Sequence, residues 1–279
     1  MKTSLQSKVV LITGASSGIG KALAIRLLQL GAKVAICARD NAKLEAMKTE
    51  LANENLWTLA TDVSQEEACK RLIDETIAHF GRLDILINNA GISMRALFQE
   101  VDLNVLRQSM DINFWGTVYC CKYALPHILK TKGSILGVSS IAGYKGLPCR
   151  TGYSASKFAM QGFLESLRIE VMHQGVNVLW VSPGFVASNI RNTALNADGK
   201  VQSETPLDES KLMSAEECAE RMIDAIVGRK RTLIMTLQGK LTVWVNKFFP
   251  SFADRKVYQH FLEEPDSPLQ KYHSSHDAK

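Results

Sequence analysis

The stretch VVLITGASSGIGKALAIRLL at residues 9–28 decides the fold. Its first five residues are apolar or β-branched without polar alternation, as in a strand covered on both faces. Gly14, Gly18 and Gly20 follow at once, and an apolar periodicity of helical type begins at Ile19. A strand that turns through glycines into a helix lets backbone approach a pyrophosphate, which then sits at the positive helix N-terminus. The spacing is G-x-x-x-G-x-G rather than G-x-G-x-x-G. Alone, such a turn is weak evidence, because a bare strand–helix connection can carry it too.

Beyond this stretch, apolar runs recur at 34–38, 56–60, 83–87, 134–138, 176–181 and 233–235. Helical patterns separate them near 41–53, 65–80, 101–130, 153–173 and 214–227. Strands alternating with helices predict an α/β fold with a parallel sheet, helices on both faces and right-handed crossovers. Residues 186–213 are polar and too long for a plain connection, which predicts a lid or a mobile loop. Residues 264–279 carry Pro265, Pro268 and a His/Ser-rich end, which predicts a disordered tail.

Composition narrows the function classes. Of 279 residues, 46% are hydrophobic and 22% charged, an ordinary globular balance. Residues 229–279 hold nine basic and five acidic groups, so most of the net +5 lies there. The nearly neutral body argues against nucleic-acid binding. Six cysteines form no C-x-x-C and no His/Cys cluster of zinc spacing, so reduced thiols, a cytoplasmic setting and no metal site are expected. There is no uncharged 18-residue stretch to span a bilayer, and 1–8 does not read as a signal peptide.

Two further motifs stand at strand ends. Asn88-Asn89-Ala90-Gly91 closes the fourth strand, where open α/β sheets bind ligands. In the run Gly152-Tyr153-Ser154-Ala155-Ser156-Lys157, Tyr153 and Lys157 are four apart and share a helix face. A tyrosine of pKa ~10 is a poor acid–base group at neutral pH. A neighbouring ammonium favours the phenolate, so a downward shift is expected. Ser140, thirteen residues before Tyr153, is placed to bind a reacting carbonyl oxygen.

Together these motifs resemble the short-chain dehydrogenase/reductase family in its single-domain form. The match covers TGASSGIG at 13–20, Asp62-Val63, NNAG at 88–91, Asn113 in DINFWG, Ser140, YSASK at 153–157 and Pro183-Gly184. The resemblance implies a doubly wound, Rossmann-like sheet of seven parallel strands. It implies a catalytic set of Asn113, Ser140, Tyr153 and Lys157. Tyr153 would carry the proton, Lys157 would lower its pKa and hold a ribose, and Asn113 would help hold a relay water. The implied dinucleotide contacts are Gly14, Ser16, Ser17, Gly18, Ile19, Gly20, Arg39, Asp62, Val63, Asn89, Ala90, Gly91, Tyr153, Lys157, Pro183, Gly184, Val186 and Ser188. Dimers or tetramers through the helices near 101–130 and 153–173 are implied as well.

The position of a NAD-type ribose acid falls on Ala38, and Arg39 follows it, which favours NADP(H). The rival is NAD(H), with Asp40 as the acid. Met94, Leu97, Phe98, Ile141, Tyr144, Leu147, Cys149 and Phe185 are the expected pocket mouth, about half of them ordinary core. An apolar mouth suits a lipophilic ketone, and 139–157 is similar to the steroid and lipid ketone reductase subgroup. The expected activity is nicotinamide-dependent interconversion of alcohol and carbonyl; the alternative is a non-catalytic dinucleotide sensor.

The chain then divides into a catalytic domain at 1–238, an amphipathic helical extension at 239–263 and a tail at 264–279. In the extension Leu241, Trp244, Val245, Phe248, Phe249 and Phe252 recur at helical spacing, and Pro250 breaks or kinks the helix. This stripe either packs on the body or a partner subunit, or makes peripheral contact with a membrane surface through 239–262.

Overall fold

A computed structural model describes residues 5–184, 186, 190–202 and 212–273. Seven parallel strands form one sheet in the order β3-β2-β1-β4-β5-β6-β7. They are β1 (Val9–Thr13), β2 (Lys33–Ala38), β3 (Leu56–Ala60), β4 (Ile85–Asn88), β5 (Ser134–Val138), β6 (Asn177–Ser182) and β7 (Thr232–Ile234). Chain order reverses between β1 and β4, which pair Val10 with Ile85 and Ile12 with Ile87. A crevice therefore opens beyond the carboxyl ends of these two strands.

The two-residue period of a strand sorts its side chains between two cores. Val10 and Ile12 join Leu23 and Leu27 of α1 (Gly18–Gln29), Leu44 and Met47 of α2 (Asn41–Leu51), and Met222 and Ile223 of α7 (Ala215–Val227). Val9 and Leu11 join Leu72 and Ile73 of α3 (Glu66–Phe80), Ala124 and Ile128 of α5 (Gly116–Thr131), and Met160 and Leu164 of α6 (Thr151–Glu170). Each large aliphatic side chain so buried contributes about 1.5–3 kcal/mol. Between α4 (Leu103–Met110) and α5 the helix widens into a π turn, Asp111–Trp115, which contains Asn113. The strand and helix expectations hold within a few residues of each boundary. All six cysteines are unpaired and buried.

The described part of the expected lid is packed. Leu195 bridges Met94 and Val201, and it is buried with Met94, Ala96, Val101 and Val105 in a third cluster, against which Tyr153 packs. Residues 187–189 and 203–211 of that expectation lie outside the described ones.

The extension forms two helices, α8 (Leu237–Phe248) and α9 (Pro250–Leu262), with Pro250 in the first turn of α9. A proline there lacks an N–H that the helix would leave unused anyway. Asn246 Nδ2 donates to the Tyr144 carbonyl at 2.9 Å, and Lys145 pairs with Asp254, so both helices are tied to the loop after β5. Trp244, Phe248 and Phe249 nevertheless stay 55%, 55% and 56% exposed, so packing on the body accounts for only part of the stripe.

Residues 264–273 correct the expectation of a disordered tail. Glu264 and Ser267 are buried, and Gln270–His273 forms a short helix, α10. Arg95 and Arg150 supply the buried cations that draw Glu264 in. Residues 274–279 lie outside the described ones.

Candidate active site

One cavity of about 1150 Å³ runs along the carboxyl ends of the strands. Its first end is the glycine turn. Gly14 and Gly18 have φ of +65° and +54°, a region where side chains bring strain. A Cβ on Gly14 would stand 2.6 Å from Ala90 Cα, so this turn and the Asn89–Gly91 turn interlock. Thr13 Oγ1 accepts from the Asn89 and Ala90 N–H groups at 3.1 and 3.0 Å. Asn89 Nδ2 donates back to the Thr13 and Gly14 carbonyls, both at 2.9 Å. Asn89 is thus a brace as well as a wall residue. Gly20 does not line the cavity; a Cβ there would strike Asn89 Nδ2 at 2.6 Å.

Gly14, Ser16, Ser17, Gly18 and Ile19 line this end. Ser17 occupies the N-cap of α1, but its side chain makes no capping hydrogen bond. First-turn N–H groups with no side-chain cap, beside glycines and open space, fit a pyrophosphate.

Arg39, Asp40, Lys43, Asp62 and Val63 form the next wall. Asp62 Oδ1 accepts from the N–H and hydroxyl of Ser64 at 3.0 and 2.8 Å. Asp40 caps α2, accepting from the Lys43 N–H at 3.1 Å, with Lys43 Nζ 3.5 Å away. The backbone bond from Lys43 leads the causes that hold this carboxyl below its ordinary pKa. Lys43 was not singled out from the sequence; its position one turn into α2 places it on the cavity.

Tyr153 lies in the first turn of α6, where the helix dipole favours a negative oxygen. It is half-buried on the cavity wall beside Ser140, whose Oγ accepts from the Ala142 N–H at 3.1 Å. Lys157 is 2% exposed and donates to the Val138 carbonyl at 2.8 Å. Its Nζ sits 5.6 Å from the centre of the Tyr153 ring. The expected downward shift of Tyr153 is corrected here. Desolvation is the largest influence and raises its pKa, against a hydrogen bond from Ser140 and the charges of Arg150 and Arg191. The Lys157 ammonium lies over the ring, and burial pushes its own pKa down to about 8.

Asn113 is fully buried and does not line the cavity. Its Oδ1 accepts from the Ile92 N–H at 2.8 Å, and its Nδ2 donates to the Ile92 carbonyl and Ser156 Oγ at 3.0 and 2.8 Å. It ties the Gly91 turn to α6, and a Cβ on Gly91 would stand 3.1 Å from its Oδ1. Ala90, Gly91, Pro183, Gly184 and Val186 line the cavity, while Ser188 and Phe185 lie outside the described residues.

Of the expected pocket mouth, Ile141 and Leu147 reach the cavity. Met94 and Cys149 are buried core, and Phe98 is 62% exposed. Leu97 and Tyr144 do not line the cavity either. The wall comes instead from α8 and α9, through Leu241, Val245, Phe252, Val257 and Phe261. The apolar stripe signalled Leu241, Val245 and Phe252, but not that one edge of it would face the site; Val257 and Phe261 lie beyond the stripe.

Residues 8–198 match the family model for short chain dehydrogenases. The chain belongs to that family. Similar proteins include 11-beta-hydroxysteroid dehydrogenase A of Arachis hypogaea, 36% identical over 278 residues, covering 96% of this chain and 79% of that one. Another is 11-beta-hydroxysteroid dehydrogenase-like 3 of Arabidopsis thaliana, 41% identical over 231 residues, covering 81% and 72%. An alcohol dehydrogenase from the archaeon Thermococcus sibiricus, complexed with 5-hydroxy-NADP, is 25% identical with a TM-score of 0.73, covering 82% of this chain and 96% of that one. A Burkholderia phymatum short-chain dehydrogenase/reductase in complex with NAD shares the fold at a TM-score of 0.80 and 24% identity, covering 89% and 95%. This short-chain dehydrogenase is an oxidoreductase of hydroxyl and carbonyl groups that uses a nicotinamide dinucleotide.

Proposed function

We propose that this short-chain dehydrogenase reduces a lipophilic ketone of steroid-like size with NADPH. The observation that carries this reading is the wall itself: two cations, Arg39 and Lys43, at one end and the apolar faces of α8 and α9 at the other. Asp40 is committed to capping α2, which speaks against it as a ribose acid. Arg39 and Lys43 are the charge partners a 2′-phosphate requires. The relatives' names, which place hydroxysteroids with proteins similar to this one, favour the same substrate class.

In this reading a bound nicotinamide dinucleotide supplies the hydride. Ser140 orients the substrate oxygen with its hydroxyl, and Tyr153 gives that oxygen its proton. Lys157 holds the ribose and returns positive charge near the phenol. Asn113 keeps Gly91 and α6 at fixed separation, so the reacting groups stay aligned. A panel of steroid and non-steroid ketones, run with NADPH and with NADH, tests this. Turnover of apolar ketones with NADPH supports the reading; preference for NADH, or for polar carbonyls, overturns it.

Two further parts of the reading concern partners. Trp115 and Phe158, on the helices from 103 to 170, are 43% and 45% exposed, and Trp115 stacks on Tyr119 at 5.7 Å. This surface suits a homodimer or homotetramer, read by sedimentation. Leu241 and Phe252 line the cavity and are also 59% and 48% exposed, contiguous with Trp244, Phe248 and Phe249. Lys247 and Lys256 lie over the rings of Phe248 and Phe252. Such a face suits peripheral contact with an anionic bilayer from the cytoplasmic side, with substrate entering from lipid. No helix among the described residues is long and apolar enough to cross a membrane.

A further inference from the structure

Arg150 is the N-cap residue of α6, three residues before Tyr153, and both line the cavity. Its guanidinium is fixed from the far end of the chain. It lies 4.6 Å above the Phe261 ring, and its Nη2 is 3.6 Å from Glu264 Oε2. Arg95 Nη2 is 3.8 Å from the same oxygen and donates to the Pro265 carbonyl at 2.7 Å. The side chains of Arg95, Arg150 and Glu264 are only 11%, 14% and 5% exposed. A single buried carboxylate thus stands between two guanidiniums, and one of these faces the reaction site. Such a clasp exceeds what tethering a tail requires, because buried charges are costly unless paired.

We propose that Arg150 is a positioning residue for proton transfer at Tyr153, and that Glu264 sets how much of its positive charge the tyrosine feels. The proposal rests on Tyr153 being the proton carrier. The groups facing Tyr153 are Lys157 from its own helix, Arg150 from the start of that helix, Arg191 from the 190–202 segment and Ser140 from the loop after β5. Lys256 and His260 of α9 line the same cavity. Among the described residues the carboxylates on the cavity wall are Asp40 and Asp62, both at the dinucleotide end. Arg150 and Arg191 both act to lower the Tyr153 pKa, and Glu264 is the leading electrostatic partner of Arg150.

The two partners therefore act on the phenol with opposite signs. Removing the Arg150 charge disfavours the phenolate. Removing the Glu264 charge leaves Arg150 seated on Phe261 but uncompensated, and favours the phenolate. The test is a phenol titration, taken as the ultraviolet difference between each protein and the same protein carrying Tyr153→Phe, alongside the pH profile of alcohol oxidation. Arg150→Met is expected to move both titrations upward and Glu264→Gln to move both downward. Arg150→Lys, which keeps the charge without the planar stacking head, is expected to shift upward by less than Arg150→Met. If Arg150→Met fails to fold, Arg150→Lys and Glu264→Gln still carry the opposite signs. Shifts of the same sign, or loss of plateau rate with the titration unmoved, overturn the proposal and leave a structural clasp. If Tyr153→Phe itself keeps full turnover, the proton-carrier reading fails, and the phenol titration still reports the clasp separately.

Discussion

Gly14→Ala tests the interlock on which the dinucleotide end depends. The new methyl group meets two penalties. At φ +65° an alanine is in the left-handed region, which costs about 1–2 kcal/mol. Its Cβ would also lie 2.6 Å from Ala90 Cα and 3.0 Å from Ala90 N, backbone atoms that no rotamer change can move. Relieving such overlap costs about 1–3 kcal/mol. The combined loss of about 2–5 kcal/mol corresponds, at about 2 °C per kcal/mol for a chain of this size, to a melting temperature roughly 4–10 °C lower. The relief must part the Gly14 and Asn89–Gly91 turns and shift the first N–H groups of α1. Losing one hydrogen bond to a charged phosphate is worth about 1.5–3 kcal/mol. NADPH affinity is therefore expected to fall roughly tenfold to a hundredfold. Thermal melting and fluorescence titration with NADPH measure both effects. Gly162→Ala is the control: it lies inside α6 with nothing within 4 Å of the added methyl, so it is expected to be neutral or stabilising. A Gly14→Ala protein with wild-type melting and wild-type affinity would show that the two turns do not interlock.

Arg39→Ala is expected to weaken NADPH binding roughly tenfold or more, the loss of one charge-assisted bond, and to leave NADH binding nearly unchanged; equal losses for both dinucleotides count against a 2′-phosphate contact. Burial lowers the Lys157 pKa from 10.5 to about 8, so above pH 8 the unfolded chain holds a proton that the folded chain has lost. That difference makes stability rise with pH between about 8 and 10.5, so chemical denaturation of Lys157→Met against wild type should shift in favour of wild type across this window; a pH-independent gap contradicts the burial of a titrating amine. Trp244→Glu is expected to abolish flotation with anionic vesicles while melting temperature and oligomer size hold; a loss of stability or assembly instead assigns that face to protein packing.

The sheet and its helices were legible because each level of the sequence agrees with the next. Val9–Ile12 is uniformly apolar because the strand is buried on both faces, and Gly14, which follows, is forced by the close approach of Ala90. The meeting of Tyr153 and Lys157 on the cavity wall was legible from their four-residue spacing, which is local. Features that depend on distant parts of the chain were not. The apolar stripe of α8 shows its own periodicity but not that Leu241 and Val245 close a cavity whose other wall is Ile141 and Leu147. Glu264 stands in a segment rich in proline and polar residues; only the arrival of Arg95 and Arg150, more than a hundred residues earlier in the chain, makes it core. The direction of the Tyr153 shift was misread because spacing reports proximity to an ammonium but not the competing loss of water.

The proposed nicotinamide-dependent carbonyl reduction rests on Tyr153 as the proton carrier. The most direct measurement compares wild type and Tyr153→Phe in NADPH consumption with a ketone substrate, with NADPH affinity measured in parallel. General acid catalysis is worth about 100-fold to 10,000-fold, so kcat is expected to fall by at least about 100-fold while the NADPH Kd stays near its wild-type value. A Tyr153→Phe enzyme that keeps wild-type turnover contradicts the account.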